Sequence, residues 1–191
     1  MLLEVVKYGH PVLRERGQRI ETVDAAIRQL AADMVETMHA HQGVGLAAQQ
    51  VARALQLFVI DVREVEDRPS TLSIDGRPVE LADHMPMVLI NTEVQPAGDP
   101  ETGPEGCLSF PEIYGDITRP AAIEVSALNE AGEPVKFHCD GLLARAIQHE
   151  LDHTKGILFI DRMSRAQKQE NQAALDQLQA ETKAALQKRK Q

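Results

Sequence analysis

His149-Glu150-Leu151-Asp152-His153 places two imidazoles four residues apart, with a carboxylate beside the first. On a helix, positions i and i+4 share one face, so both rings can close on a single metal ion. The glutamate then stands next to the water such a metal carries, as hydrolysis requires. The plain alternative is an amphipathic helix that carries two histidines by coincidence. A catalytic zinc-type centre usually takes three protein ligands and keeps one position open, so a third ligand is needed. No histidine follows His153. Glu170 is the nearest acidic candidate by spacing, but it sits between Gln169 and Asn171 in a polar stretch and reads as a solvated surface residue.

Upstream the choice is better. Glu105-Gly106-Cys107-Leu108-Ser109 offers a thiolate with a short apolar flank, and thiolate is a strong ligand for zinc or ferrous iron. Cys139 alternates with Val135 and Phe137, so it points into the core as a small hydrophobe, and His138 falls on the solvated face of that strand. His10, His39, His41 and His84 lack a partner at ligand spacing and read as structural.

These residues must be positioned by the rest of the chain. Val23 to His41 is predicted helical, because Ala25, Ile27, Leu30, Ala31, Met34 and Met38 recur at helical spacing. Asp24 is placed to cap it and Gly43 to end it. Leu55 to Val62 reads as a buried strand, and Met87 to Ile90 as another. Residues 63–85 form a charged excursion with a hairpin around Asp75-Gly76. Pro96 to Pro104 reads as a loop. Ala121 to Leu128 and Pro134 to Cys139 are strands around the turn Asn129-Glu130-Ala131-Gly132.

Leu142 to His153 is the motif helix, with Asp140 as its expected cap and Leu142, Ala146, His149 and His153 along one mostly apolar side. Ser164 to Gln191 reads as one long polar helix with a thin stripe of Leu175, Leu178 and Leu186. Strands followed by helices predict an α+β fold.

Composition narrows the function. The chain has 191 residues, enough for one domain with a sizeable core. Its net charge of −9 and pI near 5.2 argue against general nucleic-acid binding. No apolar run approaches the roughly 18 residues that span a bilayer, and Glu4 and Lys7 interrupt the start as a signal peptide. A cytoplasmic location and no membrane partner are expected. The two cysteines, Cys107 and Cys139, do not make a disulfide framework.

Three ordered motifs then match one family. The chain resembles peptide deformylase at GVGLAAQQ (43–50), EGCLS (105–109) and QHELDH (148–153), with supporting likeness at YGHPVLR (8–14) and GILF (156–159). The resemblance implies an α+β fold in which mostly antiparallel strands pack around a central metal-binding helix, with a long C-terminal helix. It implies a catalytic domain over 1–163 and a helical extension of the same domain over 164–191. The implied activity is removal of the N-terminal formyl group from N-formylmethionyl polypeptides, with water on the metal attacking the formyl carbon. The implied ligands are Cys107, His149 and His153, holding one divalent metal. Fe²⁺ is the expected ion in the cell, with Zn²⁺, Ni²⁺ or Co²⁺ accepted in the purified protein.

By the same resemblance, Glu150 is the acid/base, Gln50 and the Leu108 N–H stabilise the oxyanion, and the Gly45 backbone contacts the peptide. Val44, Leu142 and Ala146 are the expected lining of the methionine pocket. Arg145 is placed to orient a carboxylate or to pair on the surface. Tyr114 stands where some relatives carry arginine, Thr154 where an apolar residue is common, and residues 63–85 are longer than the corresponding connection in compact relatives. Lys183, Lys188, Arg189 and Lys190 complement the negative end of the last helix, and would also suit a ribosomal surface. A peptidase cleaving internal amides and a non-enzymatic metal-binding protein are the competing readings. The first needs a downstream ligand such as Glu170. The second needs a fully occupied ligand set.

Overall fold

The computed structural model describes residues 1–189. Helix α1 runs Ala25–Ala40, and the Asp24 side chain accepts from Ile27 N at 2.9 Å as expected of its cap. It buries Ala31, Met34, Thr37 and Met38 on one face. The stop is made one residue before the expected glycine. Gln42 takes a left-handed backbone (φ 55°), and Gly43 N then closes onto Met38 O at 2.9 Å. Strands β1 (Gly45–Ala47) and β2 (Leu57–Ile60) follow, then β3 (Leu72–Ile74), β4 (Arg77–Pro78) and β5 (Met87–Pro96). Next come β6 (Pro100–Cys107), β7 (Phe110–Pro120), β8 (Ala122–Leu128) and β9 (Pro134–Asp140). Helix α2 spans Gly141–Thr154, α3 Arg165–Glu170 and α4 Gln172–Lys188.

One antiparallel sheet has the order β1-β2-β5-β8-β9-β3-β4, and β6-β7 forms a separate ribbon. Every residue of β2 is buried, because the sheet is covered on both faces. Leu57 and Val59 join the core under α1 with Met34 and Met38. Phe58 and Ile60 join the core under α2 with Leu143, Ile147 and Leu151. A third apolar cluster, with Leu13, Phe110, Ile117, Phe159 and Leu175, ties β7 to α4. The α+β fold, the antiparallel strands and the terminal helix match the sequence expectation.

Three local expectations are corrected. The loop expected over Pro96 to Pro104 shrinks to residues 97–99: β5 continues to Pro96 and β6 begins at Pro100. Prolines and glycines are tolerated in β6 because it pairs only with β7, so its outer edge needs no donors. The terminal helix breaks at Asn171 into α3 and α4, with Leu175 buried and Leu178 and Leu186 half-buried. The side chain of Asp140 does not cap α2. It accepts from Thr71 N at 2.7 Å, while Ser70 Oγ accepts from Leu143 N at 2.8 Å and does the capping.

The 63–85 excursion therefore has a structural task. Its Asp75-Gly76 turn takes positive φ at both residues (50° and 72°), as a tight hairpin requires. β3 then adds to the sheet beside β9, with Leu72 opposite Cys139, and the preceding Ser70 holds the start of α2. No described helix is long and apolar enough to cross a membrane.

Candidate metal centre

Helix α2 sets the His149 and His153 rings on one face, 5.2 Å apart between centroids. Cys107 ends β6, and the turn at Leu108 and Ser109 carries the chain back into β7. One ligand atom from each of Cys107, His149 and His153 falls within 4.8 Å of the others, the one such group among the described residues. Cys107 Sγ lies 3.4 Å from His153 Nε2. Both histidines are buried and Cys107 is half-buried, so the cluster opens on the thiol side.

The donor set fits a divalent cation. Burial alone would discourage charge on His149, but Cys107 and Glu105 reverse this and raise its pKa well above the ordinary value. Positive charge is thus favoured between thiol and ring. His153 is pushed the other way by burial and by His149, which leaves it a neutral imidazole suited to ligation. Among the described residues no fourth His, Cys, Asp or Glu joins the group, as a closed structural site would require.

A buried ionic chain backs this cluster. His149 Nδ1 lies 2.8 Å from Glu105 Oε1. Glu105 also accepts from Arg119 Nε (2.7 Å) and Nη2 (2.9 Å) and from Arg145 Nη1 (2.9 Å). Arg119 reaches on to Asp152 at 2.9 Å, which Arg162 grips through two bonds of 2.6 and 2.7 Å. Burial would raise the Glu105 pKa, but His149 and Arg119 outweigh it and hold the carboxyl far below the usual range. An ionised Glu105 is acceptor-only, so it holds a proton at His149 Nδ1, and Nε2 is the nitrogen a metal would take in place of the second proton.

Arg145 therefore orients a carboxylate, as one of its two sequence readings had it. It also donates to Ile117 O and Glu101 O, stitching α2 to the β6–β7 ribbon that carries Cys107. Glu105, Arg119 and Asp152 received no role from sequence. The usable signal was Asp152 itself: an acidic residue beside Leu151 in a mostly apolar helix calls for a cationic partner unless it does chemistry.

Glu150 is buried, and burial pushes its pKa up to about 7. Its Oε2 has no hydrogen-bond partner among the described residues. Gly45 on β1 leaves the room it occupies, since a Cβ there would lie 2.5 Å from Glu150 Oε1. Gly45→Ala is expected to displace that carboxylate and to lower kcat/KM roughly ten- to a hundredfold at unchanged metal content. Steady-state kinetics with metal analysis on one preparation would check this, and a change under twofold would count against the contact.

Gln50 sits in a 3-10 turn (Ala48–Val51), where Oε1 accepts from Ala47 N at 2.9 Å. That anchors the amide so that Nε2 faces Cys107 Sγ (3.4 Å) and Ser109 Oγ (3.3 Å). Leu108 is half-buried in the turn beside them. Val44, Leu142 and Ala146 share the apolar cluster under α2. Tyr114 is exposed, with its ring against Gly106, and Thr154 satisfies its hydroxyl on Leu151 O at 2.7 Å.

The remaining expected outsiders stay outside. Glu170 is exposed at the end of α3, His10 caps the Pro11–Arg14 turn, His39 pairs with Asp61 and Cys139 is buried in the core. His138 is half-buried and paired with Glu124 at 2.8 Å rather than simply solvated. A cavity of about 1000 Å³ lined by Arg28, Met85 and Phe137 shares no residue with the Cys107 cluster. It has no part in this chemistry.

Known proteins resemble this chain in sequence and in fold. The family model described as polypeptide deformylase matches residues 2–169. A peptide deformylase of Opitutus terrae is 48% identical over 180 residues, covering 92% of this chain and 90% of that one. The crystal structure of a peptide deformylase from Synechococcus elongatus, in complex with actinonin, is 40% identical with a TM-score of 0.76, over 92% of this chain and 85% of that one. That of Ehrlichia chaffeensis is 32% identical with a TM-score of 0.79, over 97% and 99%. With motifs, fold and relatives in agreement, the chain belongs to the polypeptide deformylase family.

Proposed function

We propose that this hydrolase, which removes N-terminal formyl groups as its family does, works on N-formylmethionyl peptides through a single proton carrier, Glu150. The observation that carries the reading is a buried carboxylate with a partnerless oxygen, adjacent in sequence to one member of a Cys107–His149–His153 donor group. A divalent metal held by those three residues would polarise the formyl oxygen and acidify water on the open side of the site. Fe²⁺ is the proposed physiological ion, while Zn²⁺, Ni²⁺ and Co²⁺ suit the same donors.

Glu150 takes a proton from the attacking water and returns it to the departing amine. Its pKa near 7 suits both directions at neutral pH. Charge then develops on the formyl oxygen. Gln50 Nε2, anchored through Ala47, and the Leu108 N–H are the donors assigned to it. The peptide lies along β1, an edge strand whose outer side has no partner strand among the described residues, with its backbone against Gly45. The methionine side chain is assigned to the apolar wall of Val44, Leu142 and Ala146.

Residues 164–191 belong to the same domain in this reading, supported by Leu175 packing with Phe110 and Phe159. A ribosomal contact through α4 would use Lys183 and Lys188; Arg189 is already paired with Glu4, and Lys190 lies outside the described residues.

The test is turnover of formyl-Met-Ala-Ser by anaerobically purified protein, with metal measured on the same sample. Turnover that tracks metal occupancy supports the reading, and a fully metallated, inactive protein would overturn it. Cys107→Ser is expected to lower bound metal and turnover together, at least tenfold at limiting metal. A peptidase built on Glu170 would keep both.

A further inference from the structure

The steps above leave the amino-terminal segment without a task, yet three consecutive residues of it address the site. Val6 N donates to Gln50 O at 2.8 Å, and Tyr8 N donates to Ser109 O at 2.9 Å. Between them, Lys7 Nζ donates to Leu108 O at 2.7 Å. The Tyr8 ring also stacks on Phe110, 4.9 Å between centroids. Leu108 and Ser109 form the turn between β6 and β7, where Cys107 pairs with Phe110. Both carbonyls of the turn are therefore taken by residues 7 and 8.

Lys7 is the unusual member. Its side chain is half-buried and makes no ion pair with a carboxylate among the described residues. Burial pulls its pKa down, and the neighbouring Cys107 offsets this only in part. A lysine is normally solvated at its tip. Apolar packing at this point would be served by a methionine stem. A cation held on a turn carbonyl has a different consequence. It fixes the peptide unit after Leu108, and so gives the preceding unit, which carries the Leu108 N–H, a rigid frame to turn against.

We propose that Lys7 is a positioning residue for deformylation, its ammonium clamping the Leu108 carbonyl so that the Leu108 N–H stays aimed at the formyl oxygen. This rests on the assignment of that N–H as an oxyanion donor. A hydrogen bond weakens steeply as its angle opens, so a turn free to rock loses part of the donor's effect without losing the donor. Removal of a whole oxyanion donor costs roughly a hundred- to a thousandfold in kcat, and loss of the clamp should cost roughly tenfold.

The experiment compares Lys7→Met and Lys7→Arg with the parent, all metal-loaded. Lys7→Met should lower kcat for formyl-Met-Ala-Ser roughly tenfold with KM within about twofold, at equal metal content. Amide hydrogen exchange over residues 108–110 should accelerate in the same variant. Lys7→Arg, which keeps a charged donor, should recover most of both. A kcat within twofold of the parent, an exchange rate that does not move, or a loss that Lys7→Arg fails to rescue would overturn the role. An inactive parent would instead overturn the deformylation reading, and the exchange comparison still supports or refutes the clamp.

Discussion

Glu150→Gln is expected to lower turnover of a formyl-methionyl peptide by a factor of about 10² to 10⁴ while leaving the bound metal in place. Glutamine has nearly the shape of glutamate, so the side chain still fits in front of Gly45, where a Cβ would stand only 2.5 Å from the carboxylate oxygen. What it lacks is the ability to carry a proton between water and amine. Glu150 is burdened by burial, which lifts its pKa to about 7, and its Oε2 is unpartnered among the described residues. A group of that kind does not stabilise the fold. The variant should therefore melt no lower than the parent at equal metal content, and the loss should appear in kcat rather than KM. Turnover within about threefold of the parent would remove Glu150 from the mechanism. A variant that lost its metal would place Glu150 among the structural residues instead.

The largest effect on stability is expected at Glu105. Its carboxylate is buried between Arg119, Arg145 and His149, with a bond of 2.9 Å or shorter to each. Glu105→Gln keeps the shape and removes the charge that both guanidinium groups answer. Breaking a buried pair from one side costs about 3–5 kcal/mol, and here Asp152 still compensates Arg119 in part, so the lower end applies. In a chain of this length that corresponds to a fall in thermal midpoint of roughly 6–12 °C. Metal affinity should fall roughly ten- to a hundredfold, since His149 exchanges a charged, acceptor-only partner for a neutral amide that no longer enforces its tautomer. Denaturant unfolding and a chelator competition titration would measure the two losses. Stability within about 0.5 kcal/mol of the parent with unchanged affinity would sink the assignment.

The pH dependence has a definite sign. The folded-state pKa of Glu105 is depressed, so its contribution is complete above the unfolded value, near 4.3, and fades as pH falls toward the folded one. The stability gap between parent and variant should therefore narrow below about pH 4.5.

Local signals determined much of this protein before any tertiary contact was considered. The apolar period of α1 and its Asp24 cap, the alternation that buried Cys139, the Asp75-Gly76 hairpin and the i, i+4 histidines of α2 all follow from neighbours in sequence. Such features rest on backbone geometry and a single buried face, which a short window contains. The candidate donor residues and the family were legible for the same reason, since each motif is contiguous.

Tertiary structure decided what depended on residues far apart. Whether β6 was strand or loop turned on β7 as a partner, because an edge ribbon tolerates the prolines that read as a loop. The cap of α2 came from Ser70, some seventy residues upstream, and displaced the adjacent Asp140. The charge network joining Arg145, Glu105, Arg119, Asp152 and Arg162, and the hold of Lys7 on Leu108, arise only when β6, β7, α2 and the amino-terminal segment meet. A buried charge must find a counterpart wherever the fold brings one, and sequence shows that a partner is needed without showing which residue supplies it.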